Sequence, residues 1–119
     1  MTIAEVINIV DGTLLTSPDR LSMPVDTACG SDLMSDVLAF VKDKTVLITG
    51  LINLHVVRTS EMLDISCIVF SRGKKPGEDI LEEAAEAGIT VLSTKMTTYT
   101  CCGELYIRGL PGTKEKNRG

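Results

Sequence analysis

The chain alternates between short runs of consecutive apolar residues and longer segments whose apolar residues recur at helical spacing. In the segment 32–42, for example, Met34, Val37, Leu38 and Val41 fall on one helical face. Runs without polar alternation are typical of strands that are covered on both faces. The predicted elements are a helix at 3–10, strands at 13–16 and 23–28, a helix at 32–42, a strand at 45–49, a helix at 53–63, a strand at 65–71, a helix at 78–87, a strand at 89–93 and a last helix ending at 108. A capping box at 2–5 predicts the start of the first helix, Asn53 can cap the third, and Thr97 or Thr98 can cap the last.

This alternation of strands and helices predicts the fold class α/β, with three layers (α/β/α) and a mainly parallel sheet. The 119 residues correspond to one domain, which we place at 1–110. Residues 111–119, PGTKEKNRG, contain no large apolar side chain, and we expect them to form a disordered polar tail.

The composition narrows the function classes. Hydrophobic residues make up 44% of the chain and aromatic residues only 3%, which predicts an aliphatic core. A formal net charge of −4 argues against nucleic acid as a partner, because binding to phosphate backbones needs concentrated positive charge. No apolar stretch approaches the roughly 20 residues that a membrane-spanning helix needs, and no signal peptide is evident, so we expect a cytoplasmic protein.

The polar segments that follow the predicted strands form the candidate binding site. Ligands of open parallel sheets bind beyond the carboxyl ends of the strands, near the point where the strand order reverses. Hydroxyl groups, backbone N–H groups and one arginine at these positions favour a phosphate or carboxylate ligand, and Lys74 and Lys75 could extend such a site. The same residue types are also typical of turns and helix caps. The predicted ligand-binding residues are Asp26, Gly30, Ser31, Asp32, Thr49, Gly50, Asn53, Arg72, Gly73, Ser93 and Thr94.

The stretch 26–32, DTACGSD, is the most informative of these segments. We expect it to lie at a strand-to-helix junction, where free backbone N–H groups would face an anion. Cys29 would then lie near a helix N-terminus that lowers its pKa, so a redox-sensing thiol is an alternative interpretation.

Recognised catalytic motifs are missing. The sequence has no G-x-x-x-x-G-K-[ST], G-x-S-x-G or H-E-x-x-H pattern, so we expect no enzyme activity. An acid–base pair of Asp32 and Asp36 is the least favoured hypothesis. The single histidine, His55, is expected at the surface or the edge of the core. The cysteines lack metal-ligand spacing, since Cys101 and Cys102 are adjacent, so we predict no metal site and no cofactor.

Several segments together resemble the DRTGG domain family, over residues 3–110. They are 25–30 (VDTACG), 31–37 (SDLMSDV), 45–50 (TVLITG), 68–70 (IVF), 87–89 (AGI) and 91–94 (VLST). Asp26 matches the Asp of the name motif and Gly30 its last Gly, whereas Thr27, Ala28 and Cys29 replace the residues between them. Such domains also occur in phosphotransacetylases, in pyrophosphatases with CBS domains and at the N-terminus of HPr kinase-like proteins.

This resemblance implies an architecture similar to the N-terminal domain of Mur ligases and a regulatory module that senses nucleotides and dimerises in some relatives. The leading hypothesis is therefore a non-catalytic, homodimeric regulatory or ligand-sensing domain that binds a nucleotide or another anionic small molecule at the strand C-termini. Small relatives resemble companions of hydrogenase and redox-enzyme gene sets. The alternative hypothesis is accordingly a structural protein-interaction module that docks on a redox or hydrogenase-associated partner.

Overall fold

A computed structural model describes residues 1–41 and 44–113. Within these residues the chain forms five α-helices and five strands, with a short 3-10 helix at Pro18–Arg20. The elements are α1 (Ile3–Val10), β1 (Thr13–Leu14), β2 (Thr27–Gly30), α2 (Met34–Phe40), β3 (Thr45–Thr49), α3 (Leu54–Met62), β4 (Cys67–Phe70), α4 (Glu78–Glu86), β5 (Thr90–Ser93) and α5 (Thr98–Ile107). None of the described helices is long and apolar enough to span a bilayer.

The sheet has the strand order β1-β5-β4-β3-β2. Strands β2 to β5 are parallel, whereas β1 pairs antiparallel with β5 through Thr13 opposite Ser93. The predicted mainly parallel sheet is therefore confirmed. Because β2 to β5 follow one another without a reversal, they create no switch point between them, and the expectation of a crevice at such a point is wrong.

Two separate hydrophobic cores fill the spaces between the three layers, as the predicted fold class requires. Helices α2, α3 and α4 connect successive parallel strands and lie on one face of the sheet, where they cover Leu47, Ile68 and Phe70. Helices α1 and α5 cover Ile48 and Val69 on the opposite face. Strand β3 is buried at all five positions, which explains its continuous apolar run.

Local capping chemistry sets the starts of several helices. The Thr2 hydroxyl accepts a hydrogen bond from the Glu5 N–H at 3.3 Å, and the Glu5 carboxylate accepts from the Thr2 N–H at 3.1 Å. The side chains of Asn53 and Thr97 cap α3 and α5 in the same manner. These helices begin where the sequence predicts.

The second predicted strand is displaced along the chain. Residues 23–25 are held by the N-terminus instead of β3, because the Ile3 N–H donates to the Met23 carbonyl at 3.1 Å and the Val25 N–H donates to the Met1 carbonyl at 2.8 Å. Pairing with β3 begins only at Thr27. Helix α2 is also shorter than predicted, since Val41 adopts an extended conformation, and position 42 lies outside the described residues.

The predicted polar tail begins with two residues that are hydrogen-bonded to the sheet. The Ala28 N–H donates to the Pro111 carbonyl at 2.9 Å, and Gly112 forms an isolated parallel bridge with Ala28. These residues therefore lie along the outer edge of β2, contrary to the expected disorder there. Positions 114–119 of the tail lie outside the described residues.

Candidate ligand-binding site

The carboxyl ends of the four parallel strands lie at one edge of the sheet, which we call the carboxyl edge. Gly30, Thr49, Phe70 and Ser93 are the last residues of β2, β3, β4 and β5. Helices α3, α4 and α5 follow these strands and begin at the same edge, where their N-termini carry partial positive charge. The architecture thus gathers the polar loops that the sequence predicts to form the site.

A hydrogen-bonded carboxylate joins the first two of these loops. Asp32 Oδ1 accepts hydrogen bonds from the Thr49 hydroxyl at 2.9 Å and from the Gly50 N–H at 2.8 Å. The bond from Gly50 is the main cause that lowers the pKa of Asp32, and the Thr49 hydroxyl and the charges of Arg72 and Lys74 act in the same direction. Asp32 is therefore an ionised group that fixes the β2–α2 loop to the end of β3.

Two cationic side chains meet at the next carbonyl group. The Gly50 carbonyl accepts hydrogen bonds from Arg72 Nη2 at 3.3 Å and from Lys74 Nζ at 3.2 Å. Both side chains are exposed. Across residues 1–41 and 44–113, the one ion pair within 4.0 Å joins Arg58 and Glu83, so Arg72 and Lys74 each lack a direct carboxylate partner there. Their charges are available to an anion.

Other hydroxyl groups at the carboxyl edge are engaged in internal bonds. The Thr94 hydroxyl donates to the Val10 carbonyl at 2.6 Å and accepts from the Met96 N–H at 3.1 Å. The hydroxyl groups of Ser71 and Thr98 form a bond of 2.6 Å. These bonds link the β5–α5 loop to α1 and the β4–α4 loop to the start of α5.

A cavity of about 380 Å³ adjoins this cluster on the side of β1. Its walls include predicted site residues and also residues from the α1–β1 turn and the β5–α5 loop that the sequence reasoning missed. Only the pairing of β1 with β5 brings that turn to the carboxyl edge, and nothing in the local sequence signals it. The lining residues are Asp11, Gly12, Thr13, Gly73, Lys75, Ser93, Thr94 and Lys95.

Ten of the eleven predicted site residues lie in or next to the loops at the carboxyl edge, and Asp26 does not. Asn53 is in the β3–α3 loop, where its side-chain oxygen accepts from the Val56 N–H at 3.0 Å as a helix cap. Asp26 lies at the opposite edge of the sheet, because it precedes β2 and its N–H donates to the Lys44 carbonyl at 2.8 Å. The structure therefore does not bring Asp26 to the other candidates.

The predicted junction at 26–32 is mostly strand. Residues 27–30 form β2, and the next N–H groups already have partners, since Ser31 donates to the Ile48 carbonyl at 3.0 Å and Leu33 to the Ser31 hydroxyl at 3.0 Å. The expected set of free N–H groups is thus wrong for these two residues. The β2–α2 loop could nevertheless be located from the sequence, because its residues are of types that are typical of turns.

The cysteine environments oppose the redox-sensor interpretation. Burial raises the pKa of the Cys29 thiol, and the charges of Cys102 and Asp36 raise it further, so the expected lowering is wrong. Burial also raises the pKa of Cys67 to about 12 and that of Cys101 to about 11. The described part of the chain contains no group of three or more His, Cys, Asp or Glu side chains that could hold a metal ion. His55 is exposed on α3.

Comparison with known proteins decides the family. The family model of the DRTGG domain matches residues 5–106. The chain belongs to the DRTGG domain family. No curated protein matches this DRTGG domain.

Among solved structures, the fold of this DRTGG domain is similar to the CBS and DRTGG domains of the regulatory region of Clostridium perfringens pyrophosphatase, crystallised with the activator diadenosine tetraphosphate. The TM-score is 0.74 at 17% identity, over 98% of this chain and 51% of that chain. Our DRTGG domain thus spans about half the length of that relative. At this level of identity the likeness establishes the fold.

Proposed function

We propose that this DRTGG domain is a non-catalytic regulatory domain that binds a nucleotide or another anionic small molecule at the carboxyl edge. The observation that carries this proposal is the pair of cations at the Gly50 carbonyl. Arg72 and Lys74 converge there at 3.3 Å and 3.2 Å with no carboxylate in direct contact among the described residues. A phosphate would provide the charged partner that the carbonyl group cannot.

The charge distribution supports an anionic ligand. The whole chain has a net charge of −4, yet the loops of the carboxyl edge carry four cations, since Lys75 and Lys95 lie beside the cavity. Four carboxylates lie at or beside the same edge, namely Asp11, Asp32 and, in the first turn of α4, Glu78 and Asp79. The argument for an anion therefore depends on the local convergence of cations in the β4–α4 and β5–α5 loops, not on an excess of positive charge.

The pyrophosphatase neighbour supports a regulatory role. Its DRTGG domain belongs to a regulatory region that was crystallised with a nucleotide activator. Because that region contains CBS domains as well, the argument for a ligand on this chain depends on the cations of its own carboxyl edge.

The state of the carboxylates favours binding over catalysis. The Asp32 carboxylate accepts hydrogen bonds from two donors, and its pKa is lowered. It is therefore a weak proton acceptor at neutral pH. Asp36 lies on the exposed side of α2. Neither carboxylate is poised as a general base.

Isothermal titration of the full chain with AMP, ADP and ATP tests the proposal. We expect binding heat that both the double variant Arg72→Ala/Lys74→Ala and increasing salt reduce. The control Lys44→Ala removes one exposed positive charge at the opposite edge and leaves binding unchanged. The absence of heat with every nucleotide at millimolar concentration would overturn the proposed function.

A second candidate function is a protein-interaction module, in the form of a homodimer or of docking on another protein. The exposed face of α5 favours it, because Tyr99, Tyr106 and Ile107 are 88%, 72% and 77% exposed. Sedimentation of wild type and of Tyr99→Ser/Tyr106→Ser tests this function. A wild-type dimer that the double variant dissociates supports self-association through α5, whereas a monomer at all concentrations contradicts the homodimer.

A further inference from the structure

Three chain segments enclose the cavity beside β5. The α1–β1 turn contributes Asp11 and the β5–α5 loop contributes Lys95, while Lys75 comes from the β4–α4 loop. Short hydrogen bonds fasten these walls to one another, including Gly73 N–H to the Thr94 carbonyl at 2.7 Å and the Thr94 hydroxyl to the Val10 carbonyl at 2.6 Å. The cavity is therefore formed before any ligand arrives.

A serine whose hydroxyl group has no hydrogen-bond partner among the described residues lines this cavity. Ser93 is only 5% exposed, and its side chain makes no hydrogen bond to any residue that the structure describes. The neighbouring hydroxyl groups of Thr94 and Ser71 are both bonded. The Ser93 hydroxyl group is therefore free to donate a hydrogen bond to a ligand in the cavity.

Two lysines line the same cavity as Ser93. Lys75 and Lys95 are exposed, line the cavity from different loops, and form no ion pair with any described carboxylate. Gly73 lies between these walls with φ +72 and has no atom within 4 Å of the place where a Cβ would be, so the cavity remains open there. One hydroxyl donor and two ammonium groups are a suitable set for a phosphate.

The geometry points to a phosphate-binding pocket at Ser93, Lys75 and Lys95 that takes a phosphorylated ligand of mononucleotide size. This inference rests on the proposed function, because it assigns a ligand class and a position within the carboxyl edge. The volume of about 380 Å³ is near the lower end of the range of about 300–1,000 Å³ for small-molecule sites, which suits a mononucleotide better than a dinucleoside polyphosphate.

Asp11 gives the pocket a second recognition element. It lies in the left-handed region at φ 51 and lines the cavity together with the two lysines. Its carboxylate accepts a hydrogen bond from a hydroxyl or amino group of the ligand, which inorganic phosphate cannot provide as well as a nucleotide. We therefore expect adenosine 5′-monophosphate to bind more tightly than inorganic phosphate, and adenosine not to bind.

Amide-resolved NMR titration of the full chain with these three compounds tests the inference. Adenosine 5′-monophosphate should shift the amide signals of Gly12, Gly73, Ser93 and Lys95. Its Kd should rise about fivefold in Ser93→Ala. Each of Lys75→Ala and Lys95→Ala should raise it about tenfold, since each removes a charge-assisted contact. The matched controls Ser35→Ala and Lys44→Ala remove the same groups from exposed positions elsewhere and should leave the Kd unchanged.

The outcomes separate this inference from the proposed function. If the nucleotide binds but responds only to Arg72→Ala and Lys74→Ala, the phosphate lies at the Gly50 carbonyl, and the pocket assignment is wrong while the proposed function stands. If neither adenosine 5′-monophosphate nor inorganic phosphate shifts any signal at millimolar concentration, the pocket assignment is also wrong. The amide spectra of the two lysine variants, both surface changes, verify that the fold is retained.

Discussion

Gly30 at the end of β2 lies against Cys102 of α5 so closely that a Cβ at position 30 would be 2.6 Å from the Cys102 sulfur. Gly30 is the residue that matches the last glycine of the family's name motif. Its small size is required here by the packing of α5 on the edge strand. The motif glycine of this chain therefore has a structural role that is independent of any ligand.

The variant Gly30→Ala should be destabilised, because the added methyl group forces Cys102 or α5 to move. We expect the free energy of unfolding to fall by about 1–3 kcal/mol, as for other overpacked sites. Urea unfolding of wild type and variant measures this change.

The matched test is the same substitution in a Cys102→Ala background. Removal of the sulfur leaves room for the methyl group, so Gly30→Ala should cost less than half as much there. An equal cost in both backgrounds would show that the sulfur is not the obstacle.

Asp32→Asn should lower stability in a pH-dependent manner. The folded-state pKa of Asp32 lies below the ordinary value of 3.8, so its stabilisation is present above that pH and is lost as the pH falls through the folded value. At about pH 7 the variant should be less stable by about 0.5–1 kcal/mol, a small effect because the carboxylate is exposed. Urea unfolding at a series of pH values measures the difference.

The difference between wild type and Asp32→Asn should disappear in acid. The control Asp36→Asn removes a carboxylate whose side chain has no hydrogen-bond partner among the described residues, and it should resemble wild type at about pH 7. A stability difference for Asp32→Asn that persists unchanged as the pH falls well below the ordinary pKa of the carboxyl group would mean that its charge is not responsible.

Gly50→Ala should impair anion binding with little effect on stability. A Cβ at this position would lie 2.9 Å from Arg72 Cζ, and the flexible arginine side chain can move away. The free energy of unfolding should therefore change by less than about 1 kcal/mol. Nucleotide titration should show the same loss of affinity in Gly50→Ala as in Arg72→Ala.

Combining the two substitutions provides the control, because Gly50→Ala acts through Arg72. The double variant should bind no more weakly than Arg72→Ala alone. A further loss of affinity would indicate that the backbone of Gly50 contributes to the site by another route.

The four thiols should be unreactive or slow in the folded protein. Burial raises the pKa of Cys67 and Cys101 to about 12 and about 11, so a small disulfide reagent at about pH 8 should modify neither until the chain unfolds. Cys29 and Cys102 also have raised pKa values and should react more slowly than free cysteine. Mass spectrometry of the modified chain identifies each site.

The same pKa values determine stability in alkali. A buried thiol with a raised pKa contributes its full stability below its ordinary pKa of 9.0, and this contribution is lost as the pH rises towards about 12 for Cys67.

Fast modification of Cys29 at neutral pH in the folded chain would contradict its raised pKa. That result would support the redox-sensor interpretation.

Local sequence determined much of this fold. The helix starts at Thr2, Asn53 and Thr97 could be predicted because a cap is a contact between residues three positions apart. Strand β3 could be predicted residue by residue because it is buried on both faces, and a continuous apolar run reports that burial directly. The pattern of elements, spread over the whole chain, was also sufficient for the family resemblance that the domain model confirms.

Tertiary structure alone decided the composition of the candidate site. Residues 23–25 are extended as the sequence suggests, but their hydrogen bonds are made with the N-terminus and not with β3. Strand β2 therefore begins only at Thr27, and Asp26 lies at the edge of the sheet opposite the carboxyl edge. The antiparallel pairing of β1 with β5 brings Asp11 to the cavity, over some 80 residues of sequence separation. Strand register and pairing depend on such distant partners, whereas helix capping and the periodicity of burial depend on residues that are close in the sequence. The sequence therefore determined the elements, and the tertiary structure decided which of them are in contact.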